Sequence, residues 1–430
     1  MYDEDNSSRT GIPSGAGRRA MPHPTLAIDL KNPDFHSSAD KHAVFERLRR
    51  ENPVYWNPEI DSSGFWAVTR YDDILKVVQD SETFSADISN GGMRIFNIGD
   101  VTAKPCGHFL SMDPPRHTQL RKALQPLFSV KNIRRHRQRI EARAKRIVAS
   151  IAKMTTADAV KDLAVPMTLG LLVDLLDVPE SDSGKFLRWS NAFIGDDDSE
   201  YLGLSASRPQ MEHEFDAYVL ALYEKRQDTG ADDFVSLLLR ARLDGQMIDF
   251  DTFSTNFAAF VIAANETTRH TICSAIFALS AFPREKAKLV ADTSLIPVAA
   301  KEFIRWATPL IHVRRTATRD IVLGEQLIRK GDKVVVWYIS ANRDESIWPD
   351  ADKLDVCRYS RTDSAIHLSF GAGPHHCLGW RFAELQLSAI LTEMLTSLPE
   401  FRVTAPLSLL RSNFISGFKA LPLAISPERQ

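Results

Sequence analysis

The sequence predicts a mainly α fold with small β-sheets, built as a single large domain, and three observations carry that expectation. Between about Asp72 and Ile304 nearly every stretch repeats its apolar residues at helical spacing. Strand-like runs rich in aromatic and branched residues are short and confined to the regions before and after that block. No internal repeat and no clear linker follows residue 25, so one core is expected to hold the chain together.

The elements follow in order. The first 24 residues, a polar and glycine-containing stretch without an apolar h-region, are expected to be a disordered tail, and the domain to span 25–430. HAVFERLRREN is a short amphipathic helix stopped by Pro53, and VYWN with GFWAVTRY gives two strands. DDILKVVQ, HTQLRKALQPLF, IRRHRQRIEARAKRIVASIA, TLGLLVDLLD and FDAYVLALYEKR read as helices, as does the long segment containing FAAFVIAANETTRH. Two long connections, ADISNGGMRIFNIGDVTAKPCGHF and FIGDDDSEYLGLSASRPQ, have the length of loops that cover pockets. DIVLGEQLIRKGDKVVVWYI reads as strand, turn, strand about Lys330-Gly331-Asp332, and FRVTA with KALPLAI as a second small sheet.

Composition excludes several classes. With 430 residues, 44% of them hydrophobic, the chain can bury a large core, and a net charge of −2 signals neither a nucleic-acid groove nor an acidic tail. Cys106, Cys273, Cys357 and Cys377 are scattered without a C-x-x-C pair, which argues against a disulfide scaffold and suits a reducing cytoplasm. The apolar run Phe257 to Ala264 is interrupted by Asn265 and Glu266, short of the roughly 20 residues of a membrane span, so no membrane anchor is expected.

The stretch SFGAGPHHCLGW at 369–380 concentrates the chemistry. Adjacent HHC is poor zinc spacing, because consecutive side chains diverge and no second ligand pair stands at a suitable distance. A buried structural cysteine is the plain alternative. Against it, Gly371, Gly373 and Gly379 free the backbone around the thiol, and the helix that begins at once places Cys377 near an N-terminus, where a thiolate is stabilised. Such a thiolate can serve as a soft metal ligand or as a nucleophile, although the loop supplies no base and orienting partner for the latter.

The run Phe370 to Gly379 resembles the F-x-x-G-x-[R/H]-x-C-x-G haem-binding loop of the cytochrome P450 haem-thiolate monooxygenases. The resemblance implies the P450 fold, haem b as cofactor, Cys377 as axial iron ligand and His375 near a haem propionate. Three further stretches agree with it. KEFIRWATP places Glu302 and Arg305 three apart, ordinarily a surface pair worth about 0.2 to 0.5 kcal/mol. It is similar to the family's E-x-x-R pair, with Arg358 in the downstream meander as its third member. DPPRHTQLRKAL reads as a capped helix start with His117 and Arg121 at i, i+4, and by the same resemblance these two and Arg315 are propionate ligands.

FAAFVIAANETTRH breaks an apolar stripe with Asn265-Glu266-Thr267-Thr268, whose polar groups need partners. Either the helix emerges into solvent there, with Thr267 bonded back to Ala263, or these residues work. The stretch resembles the family's oxygen-activation motif, with Ala263 where oxygen would sit, Ala264 replacing the usual glycine, and Glu266 and Thr267 as the acid and alcohol. Thr267 then faces the small-residue patch, while Glu266, rotated by about 100°, is expected to look toward solvent and relay protons.

The function this implies is a soluble, bacterial-type monooxygenase that inserts one atom of O2 into a lipophilic terpenoid, steroid or similar molecule. Electrons would come from a ferredoxin and its reductase, docking on a basic patch of Lys122, Lys131, Arg134 and Arg135. Ile95, Phe96, Ala259, Ile262, Ile311, Phe414 and Ile415 are the expected pocket lining. The rivals are a peroxide-driven enzyme of the same fold and a zinc-binding or structural protein without haem.

Overall fold

The computed structural model describes residues 28–60, 62–95, 107–203, 208–227, 230–361, 365–404 and 406–425; the expected tail at 1–24, Phe96 and Cys106 lie outside them. Alternating aromatic and branched residues pair β1 (Val54–Glu59) with β2 (Ser62–Val68) as an antiparallel hairpin, with Trp56 opposite Trp66 and their rings 5.0 Å apart. With β3 (Phe84–Ser85), β4 (His312–Ala317) and β5 (Lys333–Trp337) they form a five-stranded sheet ordered β1-β2-β5-β4-β3, parallel only between β2 and β5. β5 does not form the expected hairpin about Gly331. The hairpin turns earlier, Ile321–Leu323 pairing with Gln326–Ile328, because Gly324 rather than Gly331 joins the paired strands. The second sheet gathers Arg402–Val403 and Pro422–Ala424 as the sequence indicates, and adds Thr156–Asp158.

The helices that frame the site are α1 (Arg116–Leu124), α2 (Val130–Ile151), α3 (Val165–Leu176), α4 (Ser183–Ile194), α5 (Phe250–Ala281), α6 (Ile296–Ala307) and α7 (Trp380–Ser397). α5 has 32 residues, begins where Asp249 caps the Thr252 amide at 2.8 Å, and at 1.5 Å per residue runs about 48 Å through the largest hydrophobic cluster. α7 packs its Phe382 ring between Phe128 (6.2 Å) and His136 (5.8 Å), which fixes the helix that begins beside Cys377 against α2. Truncating such a ring to alanine costs about 3 to 5 kcal/mol. No helix among the described residues is long and apolar enough to cross a membrane.

Candidate active site

Cys377 opens into a cavity whose shape is set by its own loop. Gly371 and Gly373 both take φ +67°, and a Cβ on Gly373 would stand 2.5 Å from the Val78 carbonyl oxygen, so only glycine lets the loop pass that backbone. The Cys377 amide donates to the Phe370 carbonyl at 2.9 Å, closing the loop just before α7 starts. Burial pushes the thiol pKa up, while the Gly379 amide, the Arg121 guanidinium and the Trp380 amide pull it down. A bound metal would take the place of that proton.

The same cavity is lined by α5, which contributes Ala263, Ala264, Thr267 and Thr268. The Thr267 hydroxyl donates to the Ala263 carbonyl at 3.1 Å and still borders the cavity. The back-bond expected for Thr267 is thus present at a residue that lines the cavity. Met93, Phe109, Leu310 and Val313 complete an apolar wall around a cavity of about 220 Å³.

One edge of this space is cationic. Arg121, Arg315 and His375 line it, and the buried His117 ring lies 4.1 Å from that of His375. Neither nitrogen of His117 nor Nε2 of His375 has a hydrogen-bond partner. Burial, then Arg121 and Arg315, holds His117 down at about 4; burial, then Arg315 and His117, holds His375 at about 2. Arg314 turns away, donating to the Asn90 carbonyl at 3.0 Å.

Glu302 and Arg305 are not the surface pair that their spacing alone suggests: both are fully buried. Arg305 binds the carboxylate bidentately at 2.8 Å and 2.8 Å, and Arg358 reaches both oxygens at 3.1 Å. The spare guanidinium protons go to the carbonyls of Asn342, Ala351 and Pro349. Asn342 carries this support to the cysteine loop, accepting from the Leu368 amide at 2.7 Å and donating to Ser369 at 2.8 Å. Its role had no signal in a single sequence.

Two expectations need correction. Glu266 does not look toward solvent. It is fully buried beneath α4, accepting from Ser190 at 2.9 Å and Asn265 at 3.0 Å, paired with Arg269 and 3.4 Å from His270. Burial works to raise its pKa, but Arg269 and His270 outweigh it and hold the carboxyl below its ordinary value. The expected substrate residues that the structure describes also do not line this cavity. Ile95 and Ile311 belong to the core beneath the sheet with Trp337, and Ala259 is buried within the helix packing. Ile262, Phe414 and Ile415 cluster behind Leu310, which is the residue that reaches the space. The error is one of position: Leu310, one residue before Ile311, and Val313, two after it, line the cavity, while Ile311 packs beneath the sheet.

The Cytochrome P450 family model matches residues 206–408. Linalool 8-monooxygenase from Pseudomonas putida is 39% identical over 406 residues, covering 93% of this chain and 99% of that protein. The chain is a cytochrome P450. Methyl-branched lipid omega-hydroxylase from Mycobacterium tuberculosis is 33% identical over 419 residues, 94% of this P450 and 96% of that one. A Mycobacterium marinum cytochrome P450 in complex with pseudoionone superposes with a TM-score of 0.85 at 33% identity, covering 94% of this chain and 100% of that one. As a P450 the protein is a monooxygenase whose cofactor is haem b, bound in the family through a cysteine thiolate. The site fits that group. A soft ligand stands on one side of the cavity, and unpartnered imidazoles beside two guanidiniums form an edge suited to carboxylates.

Proposed function

We propose that this P450 hydroxylates a chain-end, methyl-branched carbon of an isoprenoid-like lipophile. Cys377 would ligate the haem, His117, Arg121, Arg315 and His375 would hold its propionates, and a ferredoxin with its reductase would supply electrons. The observation that carries the reading is that Cys377, Thr267 and an almost wholly apolar wall share one cavity. When bound, the haem supplies activation of O2 and insertion of one oxygen atom. The rest falls to the chain. Ala263 and Ala264 leave room beside α5 for a small ligand, and Thr267 holds a hydroxyl proton at that point through its bond to Ala263. Met93, Phe109, Leu310 and Val313 exclude water and orient the substrate by shape.

The substrate class is supported by the relatives, which act at position 8 of linalool and at the omega position of a methyl-branched lipid, and by the neighbour that holds pseudoionone. The partner class is supported by exposed Lys122, Lys131, Arg134 and Arg135 on α1 and α2, the latter helix packed against α7 through Phe382. Spectral titration with acyclic terpenoids, branched fatty acids and steroids, followed by product analysis, tests the first part. Oxidation confined to ring or mid-chain carbons would refute it. Reduction by an acidic ferredoxin should slow with added salt and with Lys122→Glu; rates indifferent to both would remove the patch.

A further inference from the structure

The C-terminal segment Ser412 to Phe418 touches two things at once. On one side it is stitched to the cavity wall. The Ile311 amide donates to the Phe414 carbonyl at 2.9 Å, the Ser416 amide to the Pro309 carbonyl at 2.8 Å, and Leu310 bridges Ile415; Pro309 and Leu310 both line the cavity. Ser412 stiffens the segment, its hydroxyl accepting from the amides of Phe414 and Ile415 at 3.1 and 3.2 Å. On the other side the Phe418 amide donates to Nδ1 of the fully buried His270 at 3.3 Å. Gly417 abuts that ring so closely that a Cβ there would overlap it.

An imidazole nitrogen that accepts a backbone N–H is unprotonated, so the neutral ring carries its proton on Nε2. That nitrogen stands 3.4 Å from Glu266 Oε2. The carboxylate is thus held by Ser190 of α4 and by Asn265 and Arg269 of its own helix, and it faces an imidazole whose tautomer the C-terminal segment dictates.

We infer that His270 is a positioning residue that links substrate occupancy to the acid: pressure on Pro309 and Leu310 passes through Ser412 to Phe418 and resets the imidazole against Glu266. The inference rests on the reading of Glu266 and Thr267 as the oxygen-activating pair. The links are contiguous, each a hydrogen bond or a van der Waals contact between neighbours, and the coupling along them is what the test below reads. Gly417 is required at the joint because any side chain would force the ring out of its place.

The test uses the holoenzyme with selectively 15N-labelled histidine in the diamagnetic ferrous carbon monoxide form, the His270 signals being assigned by their loss in His270→Gln. Wild type should show Nδ1 unprotonated and Nε2 protonated, and a substrate that binds should shift both. A reversed tautomer, or signals that substrate leaves unmoved, would overturn the link. Product per electron should fall roughly threefold to tenfold in His270→Phe and in Gly417→Ala with substrate affinity and haem content kept, and His270→Gln should recover most of it. Glu266→Gln is measured in parallel. If it impairs turnover while both His270→Phe and Gly417→Ala match wild type, the link alone fails; if Glu266→Gln is itself silent, the reading of the acid fails.

Discussion

The rings of His117 and His375 lie 4.1 Å apart, tilted 39° to one another, and His117 has no hydrogen-bond partner on either nitrogen. Two buried imidazoles between Arg121 and Arg315 are a poor arrangement for an isolated protein and a good one for receiving carboxylates. His117→Leu should therefore release haem faster. The loss of one charge-assisted hydrogen bond, about 1.5 to 3 kcal/mol, corresponds to roughly tenfold to a hundredfold in haem dissociation. Transfer of haem to an apo-globin acceptor measures it, and an unchanged rate would remove His117 from the propionate edge.

Thr267 has a sharper readout than rate. Its hydroxyl, donating to the Ala263 carbonyl at 3.1 Å, stands at the small-residue patch with its lone pairs left to accept there. Thr267→Ala should keep haem, substrate binding and electron consumption but divert most reducing equivalents to hydrogen peroxide. Product and peroxide per electron are measured together. Full coupling in the variant would leave the threonine an ordinary helix hydroxyl.

The buried Glu302, Arg305 and Arg358 triad predicts a stability effect. Glu302→Gln leaves two guanidiniums without their counter-charge, and breaking a buried pair costs about 3 to 5 kcal/mol. Apo-protein with a normal urea midpoint in this variant would contradict the assignment.

Acid should destabilise the fold before carboxylates titrate. His36, His312 and His367 are buried, and burial holds them down at about 4, about 3 and about 3. An unfolded chain protonates these rings near pH 6.5, so between that pH and the folded values the unfolded state binds more protons and stability falls as pH falls. Each ring can contribute up to about 1.4 kcal/mol per pH unit in that window. Thermal unfolding at pH 7.5, 6 and 5 checks the sign; a midpoint constant from 7.5 to 5 would contradict neutral burial.

How legible this was differs by residue. Gly371, Gly373 and the helix start around Cys377 could be read because backbone freedom and chain position are local properties. Glu266 was misread because a 100° rotation says where a side chain leaves its helix and nothing about what covers that face. The i+3 and i+4 spacing of Arg269 and His270 was the available signal, since a buried acid recruits such partners. Leu310 was displaced by one position to Ile311, as happens where an extended segment has no alternation of polar residues to set its register. Asn342, Ser190 and Gly417 act only through contacts distant in sequence. The burial of Glu302 likewise depends on the meander that folds over it.

The central claim is that the Cys377 thiolate holds haem at this cavity. That ligation is read from the absorption spectrum of the reduced, carbon-monoxide-bound protein, taken for wild type and for Cys377→Ala. Wild type should show the strongly red-shifted Soret band of thiolate ligation and the variant should lose it, with Cys273→Ala and Cys357→Ala unaffected. A red-shifted band that survives Cys377→Ala, or a wild-type protein that binds haem without such a band, would rule out Cys377 as the haem ligand.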